Sequence, residues 1–191
     1  MRIEKISNIE VFRIDGGWRD WIIVRVFSTS GNHGLSEITE SNGSVPALMA
    51  SLEELSTKVL GLEISNVFEI AALMRCSFRQ SLPGTLWKAT AAIENALWDL
   101  TSKDRGLPIA ELLGYKWRTS VAAESYWSHC PTTRIRSSDV IDKPAITSNA
   151  DLEKLSYEIN QLGFKAYKTN IFNFQRTPII RMPGIAKNHD S

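Results

Sequence analysis

The sequence predicts an α+β protein: a three-stranded antiparallel meander, a helical bundle, and then the opening elements of a parallel α/β array. Three observations carry this. Runs of β-branched and aromatic residues separated by turn residues fill the first forty positions. Three stretches with helical apolar spacing follow. After about Trp117 the pattern changes to strand, loop, helix, strand.

In the first part, Ile9 to Ile14 is rich in β-formers, and Gly16-Gly17 marks a turn or longer loop. Trp21 to Phe27 reads as a strand, Ser30-Gly31-Asn32 turns it, and Leu35 to Thr39 returns. Ser44 can cap the first helix, with Pro46 in its first turn, where proline is tolerated. Val45, Leu48, Met49, Leu52 and Val59 then share a face, and Gly61 fits the C-terminal stop. Asn66 followed by Glu69 resembles a capping box, with Val67, Ile70, Ala71, Met74 and Phe78 at helical spacing behind it. Pro83-Gly84 breaks the chain. The third helix is expected from about Leu86 to Lys103, with Leu86, Ala89, Ile93, Ala96, Leu97 and Leu100 on its apolar stripe. Ala89, Ala91, Ala92 and Ala96 would let another backbone come close. Gly106 and Pro108 end it, and a short helix over Pro108 to Leu113 is stopped by Gly114.

In the second part, Val121 to Trp127 reads as a strand and Pro131 to Ser148 as a long polar loop. Asp151 to Leu162 reads as a helix with Leu152, Leu155, Ile159 and Leu162 inward, and Phe164 to Asn170 as another strand. One βαβ unit implies a parallel pair with a right-handed crossover. A single such unit cannot close a barrel or bury both sheet faces, so the array is expected to be incomplete.

Charge and composition exclude several function classes. With 22 basic and 21 acidic residues, the formal net charge is +1, and no general field draws in nucleic acid or an anionic membrane. The six tryptophans do not alternate with basic residues, so they offer no stacking platform for nucleic acid. No apolar run approaches the ~18 residues of a bilayer span, and no signal-peptide stretch follows Met1-Arg2-Ile3. Cys76 and Cys130 are far apart, with no CxxC spacing; a cytoplasmic protein with two reduced thiols is expected. There is no Gly-x-Ser-x-Gly elbow, Gly-x-Gly-x-x-Gly or P-loop.

Two stretches carry a family resemblance. The first is Ala91-Ala92-Ile93-Glu94-Asn95-Ala96-Leu97-Trp98-Asp99-Leu100, then Lys103, then Gly106-Leu107-Pro108-Ile109-Ala110-Glu111-Leu112-Leu113-Gly114. The second is Trp21 to Glu37, a strand, turn and Gly-x-x-Glu segment. Together they resemble the mandelate racemase/muconate lactonizing enzyme family of the enolase superfamily, over roughly residues 1 to 170. The resemblance implies an α+β capping domain over 1–117, leading into an incomplete (β/α) TIM-type barrel over 118–191. It also implies that the loop from Asp15 to Trp21 lies where the family chooses substrates, with Trp18, Arg19 and Asp20 as candidate substrate-binding residues. An arginine there could hold a carboxylate by a bidentate hydrogen bond.

The family's second barrel strand ends in Lys-x-Lys; the corresponding residues here are Lys168-Thr169-Asn170. Strand alternation puts Ala166, Lys168 and Asn170 on one face, at the carboxyl end of the strand, where TIM-barrel active sites lie. Lys168 and Asn170 are therefore the candidate catalytic residues. The family's second lysine serves as a base in racemases, and the amide of Asn170 cannot take a proton at neutral pH. This favours one-base chemistry, an acid-sugar dehydratase or a one-base cycloisomerase, over a racemase. The dehydratase is the first expectation and a racemase or cycloisomerase the alternative, with Lys168 holding the substrate carboxylate and Asn170 hydrogen-bonding it. A truncated, non-catalytic α+β module is the alternative.

The resemblance also implies a Mg²⁺ that stabilises an enediolate after removal of the proton α to a carboxylate. Its ligands are acidic residues of later barrel strands, expected beyond Ser191, so the 191 residues alone are expected to be inactive. Glu37, Glu40, Glu94, Asp99 and Glu111 do not match the ligand positions, and Asp99 and Glu111 are expected to cap or pair within the first domain. His33, His129 and His189 show no ligand spacing. His129 follows the first barrel strand and is a candidate for lining the pocket. The expected partners are a small carboxylate such as an acid sugar and, for the full-length protein, further copies of itself. Apolar strand surface around Tyr167 and Ile171 is expected to promote aggregation.

Overall fold

The computed structural model describes residues 4–16, 20–39, 43–78, 84–114, 125–127, 146–168 and 174. The chain divides into two units, Met1–Trp117 and Arg118–Ser191.

The first unit opens with the meander. Strands β1 (Ile6–Asp15), β2 (Asp20–Ser28) and β3 (His33–Thr39) form an antiparallel sheet in the order β1-β2-β3. Alternation along β2 sends Ile22, Val24 and Val26 into the core with no exposed surface, while Trp21, Ile23, Arg25 and Phe27 take the other face. The first and third strands begin earlier than the apolar pattern predicts. β1 reaches back to Ile6, which pairs with Ser28 past a register shift at Ile6/Asn8. Its start is also held by segment 61–64, through hydrogen bonds from Ile6 N to Leu62 O (2.9 Å) and from Gly61 N to Ile6 O (2.8 Å).

Helices α1 (Val45–Val59), α2 (Val67–Cys76), α3 (Thr85–Arg105) and α4 (Ile109–Leu112) follow. Their ends follow local chemistry. The Ser44 side chain accepts from Ala47 N and the Asn66 side chain from Glu69 N, each satisfying an amide that the helix leaves free. Gly106 closes α3 in the left-handed region at φ 63°, which costs glycine nothing. The inward faces of α1, α2 and α3 meet β2 in one core containing Leu48, Leu52, Leu55, Ile70, Met74, Ile93, Leu97 and Leu100. Each such burial stabilises the fold by roughly 2 kcal/mol. Of the four alanines expected to permit close approach, Ala89, Ala92 and Ala96 are buried and Ala91 is exposed.

In the second unit, β4 (Ser125–Trp127) and β5 (Ala166–Lys168) pair in parallel, with Ser125 opposite Ala166 and Trp127 opposite Lys168. Between them lies α5 (Asn149–Gln161). It starts two residues before the expected Asp151, because Ser148 and Asp151 form a reciprocal capping box. Leu155 and Ile159 bury with Ile146, against Leu152, Phe164 and Phe174. Leu162, expected inward, is 58% exposed, because it sits at the C-cap past the last inward turn. Among the described residues of this unit there is no barrel, only this two-stranded sheet. No helix among them is long and apolar enough to cross a membrane.

Candidate functional site

Two places hold the residues singled out by the sequence. The first is the parallel pair. Lys168 of β5 lies directly across from Trp127 of β4. The backbone therefore brings these two residues side by side on neighbouring parallel strands. Asn170 and His129 lie outside the described residues.

The second place is the β1–β2 hairpin end. Asp15 and Asp20 are cross-strand partners there. Two like charges directly opposite would repel. Arg13 answers this: its Nη2 donates to Asp20 Oδ2 at 2.9 Å, with the Asp20 side chain only 17% exposed. The Asp20 carbonyl also accepts from the Thr39 hydroxyl at 3.3 Å, tying the hairpin end to β3. Asp20 is thus engaged within the sheet. Trp18 and Arg19 lie outside the described residues. The sequence reading passed over Arg13; its signal was a cation near the end of a strand whose hairpin mate begins with a carboxylate.

The other carboxylates are held locally. Asp99 Oδ2 accepts from Leu35 N at 2.8 Å and from Lys103 Nζ at 2.5 Å, and Lys103 Nζ also donates to the His33 carbonyl at 3.2 Å. Asp99 therefore pairs within the first unit as expected. Glu94 pairs with Arg75 at 2.8 Å. His33 is exposed, with its ring 5.6 Å from that of Phe27. On the outer face of the sheet, Arg25 pairs with Glu10 and lies 5.2 and 4.9 Å from the ring centres of Phe12 and Phe27. Among the described residues no group of three His, Cys, Asp or Glu side chains comes together to hold a metal ion. They do not fit a Mg²⁺ site.

At the start of α5, Asp151 Oδ2 accepts from the amides and hydroxyls of Thr147 and Ser148, at 2.8 to 3.0 Å. These bonds, the Thr147 amide foremost, lower its pKa from 3.8 to about 2. The role is structural, and its sequence signal was Ser148-x-x-Asp151.

Comparison with known proteins gives a consistent picture. The profile of the mandelate racemase/muconate lactonizing enzyme N-terminal domain matches residues 17–114. D-galactonate dehydratase of Pectobacterium atrosepticum is 28% identical over 167 residues, 87% of this chain and 38% of that protein. The D-galactonate dehydratase family member ManD of Chromohalobacter salexigens is 31% identical over 114 residues, 59% of this chain and 27% of that protein. A crystal structure of a protein from Burkholderia xenovorans, provisionally named L-alanine-DL-glutamate epimerase and bound to magnesium and fumarate, superposes with a TM-score of 0.79 at 32% identity. That match covers 91% of this chain and 42% of that one. The chain spans well under half the length of these relatives.

Proposed function

The chain belongs to the mandelate racemase/muconate lactonizing enzyme family of the enolase superfamily, and from this we propose that it is the front part of an acid-sugar dehydratase. Residues 1–117 are the capping domain and residues 118–191 the first elements of a TIM-type barrel. The longer enzyme removes the proton α to a carboxylate; the C–O bond at the β-carbon then breaks, and the hydroxyl leaves as water. Mg²⁺ of the kind bound by the Burkholderia homologue would supply Lewis-acid chemistry to the longer enzyme. Its ligands belong to later strands.

The observation that carries this reading is the sequence Lys168-Thr169-Asn170, whose first residue belongs to β5. A lysine at a strand's carboxyl end can hold or polarise a carboxylate, and an asparagine two residues on can donate to it but cannot act as a base. Elimination needs one base, whereas racemisation needs one on each face of the α-carbon. The names of the dehydratase relatives from Pectobacterium and Chromohalobacter point the same way. A racemase or cycloisomerase is the second reading, favoured by the epimerase name of the Burkholderia homologue. Trp18, Arg19, Asp20 and His129 remain proposed substrate contacts, and the substrate is a small carboxylic acid, held by an enzyme assembled as a symmetric homo-oligomer.

The test is α-proton exchange and water loss in D₂O, with Mg²⁺ and a panel of acid sugars, using a protein extended by whatever the reading frame encodes after Ser191. Dehydration of one acid supports the proposal. Exchange with inversion and no water loss moves the assignment to racemase. No exchange with any acid leaves the non-catalytic module.

A further inference from the structure

Among the described residues, the β3 edge of the sheet is half closed and half open. Leu35 N donates outward to Asp99, and the His33 carbonyl accepts outward from Lys103. In an antiparallel ladder, alternate residues turn their amide and carbonyl groups the same way. The Leu35 carbonyl and both backbone groups of Glu37 therefore also point away from β2. Among the described residues, none of these three groups bonds outside the sheet. The α3 pair Asp99–Lys103 thus closes the edge at His33–Leu35, and no described residue closes it toward Thr39.

Beside the open half lies a groove of about 550 Å³. Its apolar lining includes Phe68, Trp98, Ile109 and Leu113, with Phe68 and Leu113 61% and 57% exposed. Three carboxylates line it as well: Glu37, Glu94 and Asp99. Glu94 and Asp99 have their cations in Arg75 and Lys103. Among the described residues Glu37 has none.

We propose that this groove docks an extended segment of a partner polypeptide, which adds as a strand beside Leu35–Thr39. Its alternate apolar side chains fill the space between Trp98, Phe68 and Leu113, and one lysine or arginine meets Glu37. Main-chain bonds give such a mode its affinity, and the pockets for alternate side chains give its specificity. Charge decides the occupant. A second copy of β3 would bring a second Glu37 to a groove whose one uncompensated charge among the described residues is already a carboxylate, whereas a basic segment supplies the missing cation. The Asp99–Lys103 closure sets the register, because the added strand cannot extend past Leu35.

The test uses the full 191-residue chain and an acetylated heptapeptide of alternating valine and threonine with one central lysine. Amide exchange is followed residue by residue. Slowed exchange at the Glu37 amide, with affinity falling about fivefold both for Glu37→Lys and for a glutamate-centred peptide, supports the proposal. Leu113→Asp, an exposed position whose change leaves the core intact, should weaken binding with the native near-ultraviolet spectrum retained. The proposal is overturned if the Glu37 amide gains no protection at millimolar peptide. It is equally overturned if affinity ignores both charge reversals, or if the protection arises without peptide as the chain concentration is raised.

Discussion

Gly34 lies so close to α3 that a β-carbon built on it would stand 2.0 Å from the carbonyl oxygen of Ala96 and 2.4 Å from the amide nitrogen of Leu100. Both neighbours are helix backbone and cannot rotate aside. Strand and helix can meet this closely only because Gly34 has no side chain and Ala96 has a small one. Gly34→Ala is therefore expected to destabilise the first unit by about 3 kcal/mol, read as a lowered denaturant midpoint with an unchanged slope.

A second contact joins the same two elements. Asp99→Asn removes the charge from a side chain that accepts from both Leu35 N and Lys103 Nζ. The expected loss is about 1 to 2 kcal/mol, with faster hydrogen exchange at the Leu35 amide. Asp99→Ala should cost more, since it leaves that amide without any acceptor.

Acid should loosen the start of α5. Asp151 accepts four hydrogen bonds more strongly while ionised, and its folded pKa is depressed from 3.8 to about 2. Its stabilisation is full above the unfolded value and is lost as pH falls through about 2. A pH titration of the α5 amides should show a transition in that window, and Asp151→Asn should remove it.

In the extended enzyme, Lys168→Met should lower kcat/KM by about 100-fold, through loss of the group that holds the carboxylate. Asn170→Lys should instead add a second base. Deuterium incorporation with inversion would then appear in NMR spectra of recovered substrate, where the parent enzyme shows only elimination.

Much of the first unit was legible because its periodicities are unmixed. β2 alternates cleanly between buried and outer residues, and α1, α2 and α3 keep helical spacing between recognisable caps. What escaped reading depends on partners distant in sequence. The early start of β1 rests on segment 61–64, more than fifty residues away. Leu162 fits the apolar stripe of α5 by spacing, yet lies beyond its last turn. Ala91 belongs to an alanine cluster by composition and faces solvent by helical phase. At the site, the place of Lys168 on the second parallel strand could be read from the chain alone. The engagement of Asp20 by Arg13 could not, because it depends on hairpin register. Trp18, Arg19, His129 and Asn170 lie outside the described residues.

The middle strand of the meander has one further consequence. β2 is paired along both edges, and its inward residues Ile22, Val24 and Val26 expose no surface. No local fluctuation can bare its amides without parting it from a neighbour. Their deuteration should therefore clock the rarest event in the first unit, its complete opening, while the ends of α2 and α4 report only the frequent small ones.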